Sequence, residues 1–509
     1  MALNPVERRL ALLCGEWVDF RSDTSKRLLV WRVPESALRL VQCFFEVQKH
    51  DLEYSSHDLF VVFDTPYEYS IQYSRALKQA LRGQYDASKE DLASQGLTTD
   101  WFFDPEDVPN TSAGVIDALR SFGSKYHKTI GHLAAVLLPA TVSDEEWFSA
   151  WVSRALQTNA PERLRLLVVD SCEQPRFPQL TPERDPRISV QRPAIDGLST
   201  AQETFAQEAT VGPAGVFRNL LMGVVSLVEK GSANQVTAKA TDALNFARKQ
   251  GWPDQEVVLR VLVAAALLKE SRHQEAIQVY QAARQAAERA VGAAHPAGHK
   301  LVMQTWFGEG GAHLAAGDAL AAAGCYDQAA VVAQTDRNPL LALEATRTAA
   351  FCHTRGGDPA GAIARGTRAM DIGQGLEPNA RAMTTLPVAG VDLLRTIDPE
   401  RVHVLELTKA RLETRLVEAL RRAEERTISM EKNPDPVLAR EIEADLNREI
   451  GQAHADAEQE IAPIVAAGSR PFQQQFARAR QLLGPTWPMG SPLALPTLVE
   501  TADAGGIAS

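Results

Sequence analysis

A chain of 509 residues exceeds what one hydrophobic core supports and fits about two to four domains. Its 45% apolar and 23% charged content supplies buried cores and excludes a disordered chain, while 53 basic against 64 acidic residues, a net charge of −11, and no basic patch exclude nucleic acid as an expected partner. Five scattered cysteines, Cys14, Cys43, Cys172, Cys325 and Cys352, form no C-x-x-C, which argues against a disulfide framework or a zinc site and for a reducing compartment. The stretch Met1 to Arg9 meets charge at residue 7, before any signal-type apolar run. The most apolar windows, Val257 to Leu268 and Leu133 to Pro139, fall short of the roughly 20 residues that span a membrane. A cytoplasmic protein without membrane contact is expected.

Residues 1–200 alternate short β-rich runs with helical stretches, the pattern of an α/β domain with a largely parallel sheet. Arg27 to Val33, Asp58 to Phe63, His132 to Leu138, Arg163 to Val169 and Arg187 to Val190 read as strands, several nearly continuous in apolar residues, as strands covered on both faces are. Pro34 to Lys49, Tyr69 to Leu81 and Ser143 to Leu156 read as helices, the last opening on Ser143-Asp-Glu-Glu146, a capping-box spelling. Trp101, Phe102 and Phe103, in a segment of turn residues, must either dock on the core, the more frequent outcome, or face a partner, and Trp147 and Trp151, one helical turn apart, are expected in the core.

A strand, a turn and a helix at the start of this domain, with a later strand ending Val168-Val169-Asp170, invite a nucleotide-binding reading. The turn is Val33-Pro34-Glu35-Ser36, where a phosphate loop needs small residues and a Lys-Ser/Thr pair; Pro34 has no amide hydrogen and Glu35 repels phosphate. The domain thus resembles a P-loop NTPase that has lost its Walker A motif. Asp64 and Asp170, at strand ends, are candidate magnesium ligands or, more simply, caps of the following turns.

From residue 201 to 398 alanine-rich helical periodicity takes over, with turn signals at Gly231-Ser232, Ser271-Arg272, Gly317-Asp318 and Gly356-Gly357-Asp358, about 40 residues apart. One pattern recurs: Ala276, Tyr280, Ala283; then Ala322, Tyr326, Ala329; then Ala362, Gly366, Ala369, with a weaker Ala240, Leu244, Ala247 before them. Trp306 and Gly310 stand upstream of Ala322. This pattern resembles the tetratricopeptide repeat, whose second helix carries alanine, an aromatic four residues on, and alanine three further. Gly366 departs from it, as does the spacing. The resemblance implies a TPR-like solenoid of paired helices with a concave face that grips a peptide or a partner domain. His313 and His353 share one repeat position and are candidate groove residues. His295 and His299 flank a proline, which speaks against a joint metal site.

Residues 399–468 read as a long αα-hairpin, Glu400 to Lys432 and Pro436 to Ile461, with apolar stripes through Leu405, Leu412, Leu416, Ala419, Ala423 and through Ile442, Leu446, Ile450, Ala453, Ala457. Such a hairpin closes the solenoid or offers an edge for self-association. The run Arg421-Arg422-Ala-Glu424-Glu425-Arg426 reads as a solvated face. A short helix from Pro471 to Leu483 and a small-residue tail occupy 469–509.

No nucleophile elbow, H-E-x-x-H or paired cysteine ligand is present, and Cys43 and His57 suggest a thiol dyad only by their residue types. The expectation is a non-enzymatic adaptor or chaperone, without cofactor or metal, that holds a protein client; the alternative is a nucleotide-dependent switch using the α/β domain. An α/β domain joined to degenerate tetratricopeptide-like repeats resembles accessory proteins of bacterial secretion machines, including type VI effector loading, which implies a toxin or spike component as the client.

Overall fold

The computed structural model describes residues 3–50, 52–94, 96–158, 160–197, 199–200, 203–204, 212–430 and 435–490. The described residues fall into two compact units, one from Met1–Glu208 and Arg415–Gly451, the other from Ala209–Thr414 and Gln452–Pro492. The chain beyond residue 490, the end of the first expected hairpin helix at 431–432 and residues 433–434 of the expected turn Asn433-Pro434-Asp435-Pro436 lie outside the described residues.

The first unit opens with α1 (Pro5–Ser22), which the strand pattern does not announce. Its start is nonetheless spelled in sequence: the Asn4 side chain accepts from the Glu7 amide, the Glu7 carboxylate accepts from the Asn4 amide, and Pro5 occupies the first turn, where no amide hydrogen is needed. Five parallel strands follow, β1 (Leu28–Val33), β2 (Leu59–Phe63), β3 (Leu133–Leu137), β4 (Leu164–Ser171) and β5 (Ile188–Gln191), in the order β2-β3-β4-β1-β5. Each lies on one of the five expected runs. β4 is central and β1 lies between β4 and β5, with Leu28 opposite both Leu166 and Ile188.

The strands alternate between two apolar layers. Leu28, Val30, Leu166 and Val168 pack with Tyr73, Phe122, Phe148 and Trp151 of α3 (Ser70–Ser94), α4 (Ser112–Lys125) and α5 (Glu145–Gln157). Leu29, Trp31, Val33, Leu167 and Val169 pack with Trp17 and Phe20 of α1 and with Phe44 and Phe45 of α2 (Leu38–Val47). Burial on both faces is why several of these strands read as nearly continuous apolar runs. α3 extends well past the expected Leu81 because Tyr85, one turn on, is buried in the same layer against Trp101. At α5 the cap is Asp144, which accepts from the Trp147 amide; Ser143 instead donates to the Glu68 carbonyl. Trp101 and Phe103 stack in the core at 5.8 Å, while Phe102 between them is 72% exposed under the Arg82 guanidinium. Trp151 is buried, its indole donating to Ser74, and Trp147 is half-buried.

At the N-terminal ends of β2 and β3, the buried Asp58 carboxylate accepts from the Trp17 indole at 2.7 Å, from the His132 amide at 2.7 Å and from Arg21 at 2.6 Å. Burial alone would raise this carboxyl, but the His132 and Trp17 hydrogen bonds and Arg21 together hold it well below its ordinary value. A carboxyl depressed in the folded state stabilises fully above its unfolded pKa of about 4 and loses that contribution as pH falls toward the folded value. Asp58→Asn should therefore cost about 1.5 kcal/mol at neutral pH, and the gap to wild type in urea unfolding should close below about pH 4. A gap that persisted unchanged at pH 3 would contradict this assignment.

The distal part of the hairpin belongs to this unit. α15 (Pro399–Met430) and α16 (Pro436–Ala466) run antiparallel, and within residues 415–451 Ala419, Leu420, Ala423, Ile442 and Leu446 form one cluster with Tyr69 and Ile71 at the start of α3. Glu424 is buried there, accepting from the Ser70 amide at 3.0 Å, from the Ser70 hydroxyl at 2.6 Å and from Arg154 at 3.2 Å; Arg75 pairs with Glu443 beside it. The apolar stripes of both helices are thus largely covered within the chain.

The second unit is helical. α6 (Pro213–Lys230), α7 (Ala233–Gln250), α8 (Pro253–Lys269), α9 (His273–Gly292), α10 (Gly298–Ala315), α11 (Ala319–Thr335), α12 (Pro339–Arg355), α13 (Pro359–Gln374) and α14 (Leu386–Ile397) follow one another, each packed on its chain neighbours. This is a helical-repeat solenoid. The expected turns separate the helices of each pair, and Asp318, Asn338 and Asp358 cap α11, α12 and α13 by accepting amides three residues on. At the far end, α17 (Arg470–Leu483) lays Phe472 and Phe476 inward, and Trp487 packs against Gly390 of α14.

Candidate functional site

The repeat residues occupy the seams between helices. Ala276, Ala283, Ala322 and Ala329 are fully buried, and Tyr280 and Tyr326 nearly so. Each tyrosine ring faces a glycine on α10: a Cβ on Gly310 would lie 2.9 Å from the Tyr326 ring, and one on Gly308 would collide with the edge of the Tyr280 ring. The third repeat inverts this arrangement. Gly366, at the aromatic position of α13, receives Leu393 from α14, whose side chain a Cβ at 366 would meet at 3.0 Å. The departure in sequence is thus a swap of large and small partners across one seam. Trp306 is half-buried among Ala286, Ala287, Ala329 and Ala345, with the Arg284 guanidinium 3.5 Å above its ring.

The same register defines an open face. On the first helix of each pair, the residues 18, 15, 11 and 8 positions before the register alanine are Val258, Val261, Ala265 and Leu268 on α8, then Gln304, Phe307, Gly311 and Leu314 on α10, then Glu344, Arg347, Phe351 and Thr354 on α12. None of these twelve is buried, whereas residues between them such as Leu259, Ala264, Met303, Ala312, Ala345 and Ala349 are. The face is apolar on α8, aromatic and small on α10, and polar around an exposed phenylalanine on α12. Arg347 is held by Glu344 at 2.6 Å and reaches Asp392 of α14 at 4.0 Å; Arg347, Asp392, Phe351, Thr354 and Thr396 border a shallow groove between α12 and α14.

His313 and His353 lie off this face. His353 contacts Asp358, the α13 cap, at 2.9 Å through Nδ1, and His313 turns toward Glu309, 3.9 Å away. His299 starts α10 while His295 sits in the preceding turn, accepting from the Ala297 amide.

In the first unit, the C-terminal ends of the strands open into a crevice of about 500 Å³ bordered by Glu35, Gln42, Asp64, Leu138, Asp170 and Arg176. It lies where β1 leads to one sheet edge and β4 to the other, the topological position at which open α/β sheets bind ligands. Asp170 is committed to its own loop: its carboxylate accepts from the Ser171 amide at 3.0 Å and the Arg176 amide at 2.8 Å and lies 3.6 Å from Arg32. The Arg176 side chain pairs with Glu145. Asp64 and Glu35 are exposed, and the Ala37 amide is spent on the Pro34 carbonyl, so this mouth presents carboxylates where phosphate would need donors. Cys43 packs in the α1–α2 layer, and His57 is exposed beside the start of β2.

No protein-family model and no curated protein matches the chain. Among solved structures it is similar to the apo form of RapI, at 9% identity over 90% of this chain and 98% of that one with a TM-score of 0.31. It is also similar to a Rap protein complexed with competence and sporulation factor, at 12% identity over 94% and 99% with a TM-score of 0.26. At such scores the assignment of a helical-repeat unit rests on the helices themselves. Among the described residues no helix is long and apolar enough to cross a membrane.

The open face was hidden in sequence because its members share no residue type; only their offset from the alanine register and their position outside the buried seams unite them. The tyrosine–glycine contacts were half visible, since Gly310 stood out and Gly308 did not.

Proposed function

We propose that the chain is a non-enzymatic adaptor that holds a polypeptide against the first helices of its repeats. The observation that carries this reading is the open face itself: twelve register-equivalent positions on the first helices of three successive pairs, none buried, passing from aliphatic to polar. Helical repeats bury their seams and spend the remaining face on partners, and a surface graded in this way suits a segment that is apolar at one end and polar at the other. Loading a toxin or spike component in the cytoplasm before export, as in type VI secretion, is one form this activity takes. Phe351→Asp together with Arg347→Glu should lower recovery of a co-purifying client at least tenfold, while Val331→Asp, on the second helix α11, leaves it unchanged. Equal recovery from all three proteins would refute the assignment of the face.

The strand-end crevice supports a second reading, a small-ligand switch, through its position at the topological switch point. Magnesium-dependent binding of ATP or GTP in calorimetry, abolished by Asp64→Lys, would favour it over the adaptor.

A further inference from the structure

Glu309, His313 and Cys325 bring a carboxylate oxygen, an imidazole nitrogen and a sulfur within 4.8 Å of one another. The first two stand one turn apart on α10, so their side chains share a face, and Cys325 comes from α11 packed beside it. The two oxygens of Glu309 are divided. Oε1 faces His313 Nε2 at 3.9 Å and accepts from Gln281 at 2.9 Å, whereas Oε2 is taken by the Arg284 guanidinium, which lies over Trp306. Glu309 and Cys325 are buried, and the His313 side chain retains 18% exposure, which leaves a path from solvent.

We propose that Glu309 Oε1, His313 Nε2 and Cys325 Sγ form a binding site for a divalent transition ion of the zinc class. A mixed oxygen, nitrogen and sulfur donor set selects zinc or cobalt over magnesium and calcium, which take oxygen alone. Gln281 and Arg284 hold the carboxylate in position from outside, as partners of metal ligands do. The thiol of Cys325 gives its proton to solvent as the sulfur–metal bond forms, so Glu309 and Cys325 together offset the charge of the ion, while Arg284 stays against the second carboxylate oxygen and leaves the cluster with one net positive charge. A fourth position remains for water or a side chain of a bound partner. Sequence alone did not suggest the site because its third ligand comes from a second helix, across a turn.

Cobalt titrated into chelator-treated, tag-free full-length protein tests this directly. One equivalent should produce a thiolate-to-cobalt charge-transfer band that zinc displaces. Cys325→Ala should abolish the band and Cys352→Ala should keep it, while His313→Gln should weaken binding at least tenfold with an unchanged circular dichroism spectrum. If Cys325→Ala does not fold, the His313→Gln comparison decides alone. No sulfur band at stoichiometric cobalt, a band surviving in Cys325→Ala, or unaltered affinity in His313→Gln would overturn the site.

Discussion

Glu424→Ala should destabilise the first unit by about 3–5 kcal/mol, the range seen when one partner of a buried charged pair is removed. The carboxylate is buried and meets three donors: the Ser70 amide at the first turn of α3, the Ser70 hydroxyl and Arg154. Its truncation takes the carboxylate from Arg154 and leaves a helix N-terminus without its anion, both costly away from water. Glu425→Ala is the internal control. Its neighbouring carboxylate is exposed and only pairs with Arg421 one turn back, so the change should stay within about 0.5 kcal/mol. Urea denaturation followed by tryptophan fluorescence separates the two outcomes; equal midpoints for the two variants would refute the docking of the hairpin.

Two glycine-to-alanine changes in neighbouring helices should have opposite signs. Gly324 on α11 has open space around its Cα, so Gly324→Ala should stabilise by up to about 1 kcal/mol through helix propensity. Gly308 on α10 lies against the Tyr280 ring, so Gly308→Ala must displace that ring and should cost about 2–3 kcal/mol despite the same gain in propensity. In a Tyr280→Ala background the cost at 308 should vanish, because the space the ring occupied then admits a methyl group. The double-mutant cycle therefore carries the prediction, and a zero coupling energy would contradict the seam described here.

The sheet was legible because two-sided burial writes itself as continuous apolar runs, as in Leu133–Leu137 and Leu166–Val169. The repeats were legible because close helix contact admits little but alanine at Ala276, Ala322 and Ala362. The docking of the hairpin was not. Glu424 stands in a run of charges that reads as a solvated face, and Arg421 and Glu425 do behave that way; a single buried carboxylate among them is decided by Ser70 and Arg154, far away in sequence. Gly366 looked like a defect for the same reason, since its partner Leu393 lies in a later helix. Of the candidate site residues, Trp306, Gly310, Tyr280 and Tyr326 lie in the seams that shape the face, whereas His353 is tied to a helix cap and His313 to Glu309.

The most direct test of the account is a photoreactive side chain placed at position 351 on the open face and, separately, at position 331 on α11, with crosslinking in the native host. A specific adduct with another polypeptide from position 351 and none from 331 is the predicted result; no adduct from 351, or the same adducts from both positions, would contradict the claim that the first helices hold the client.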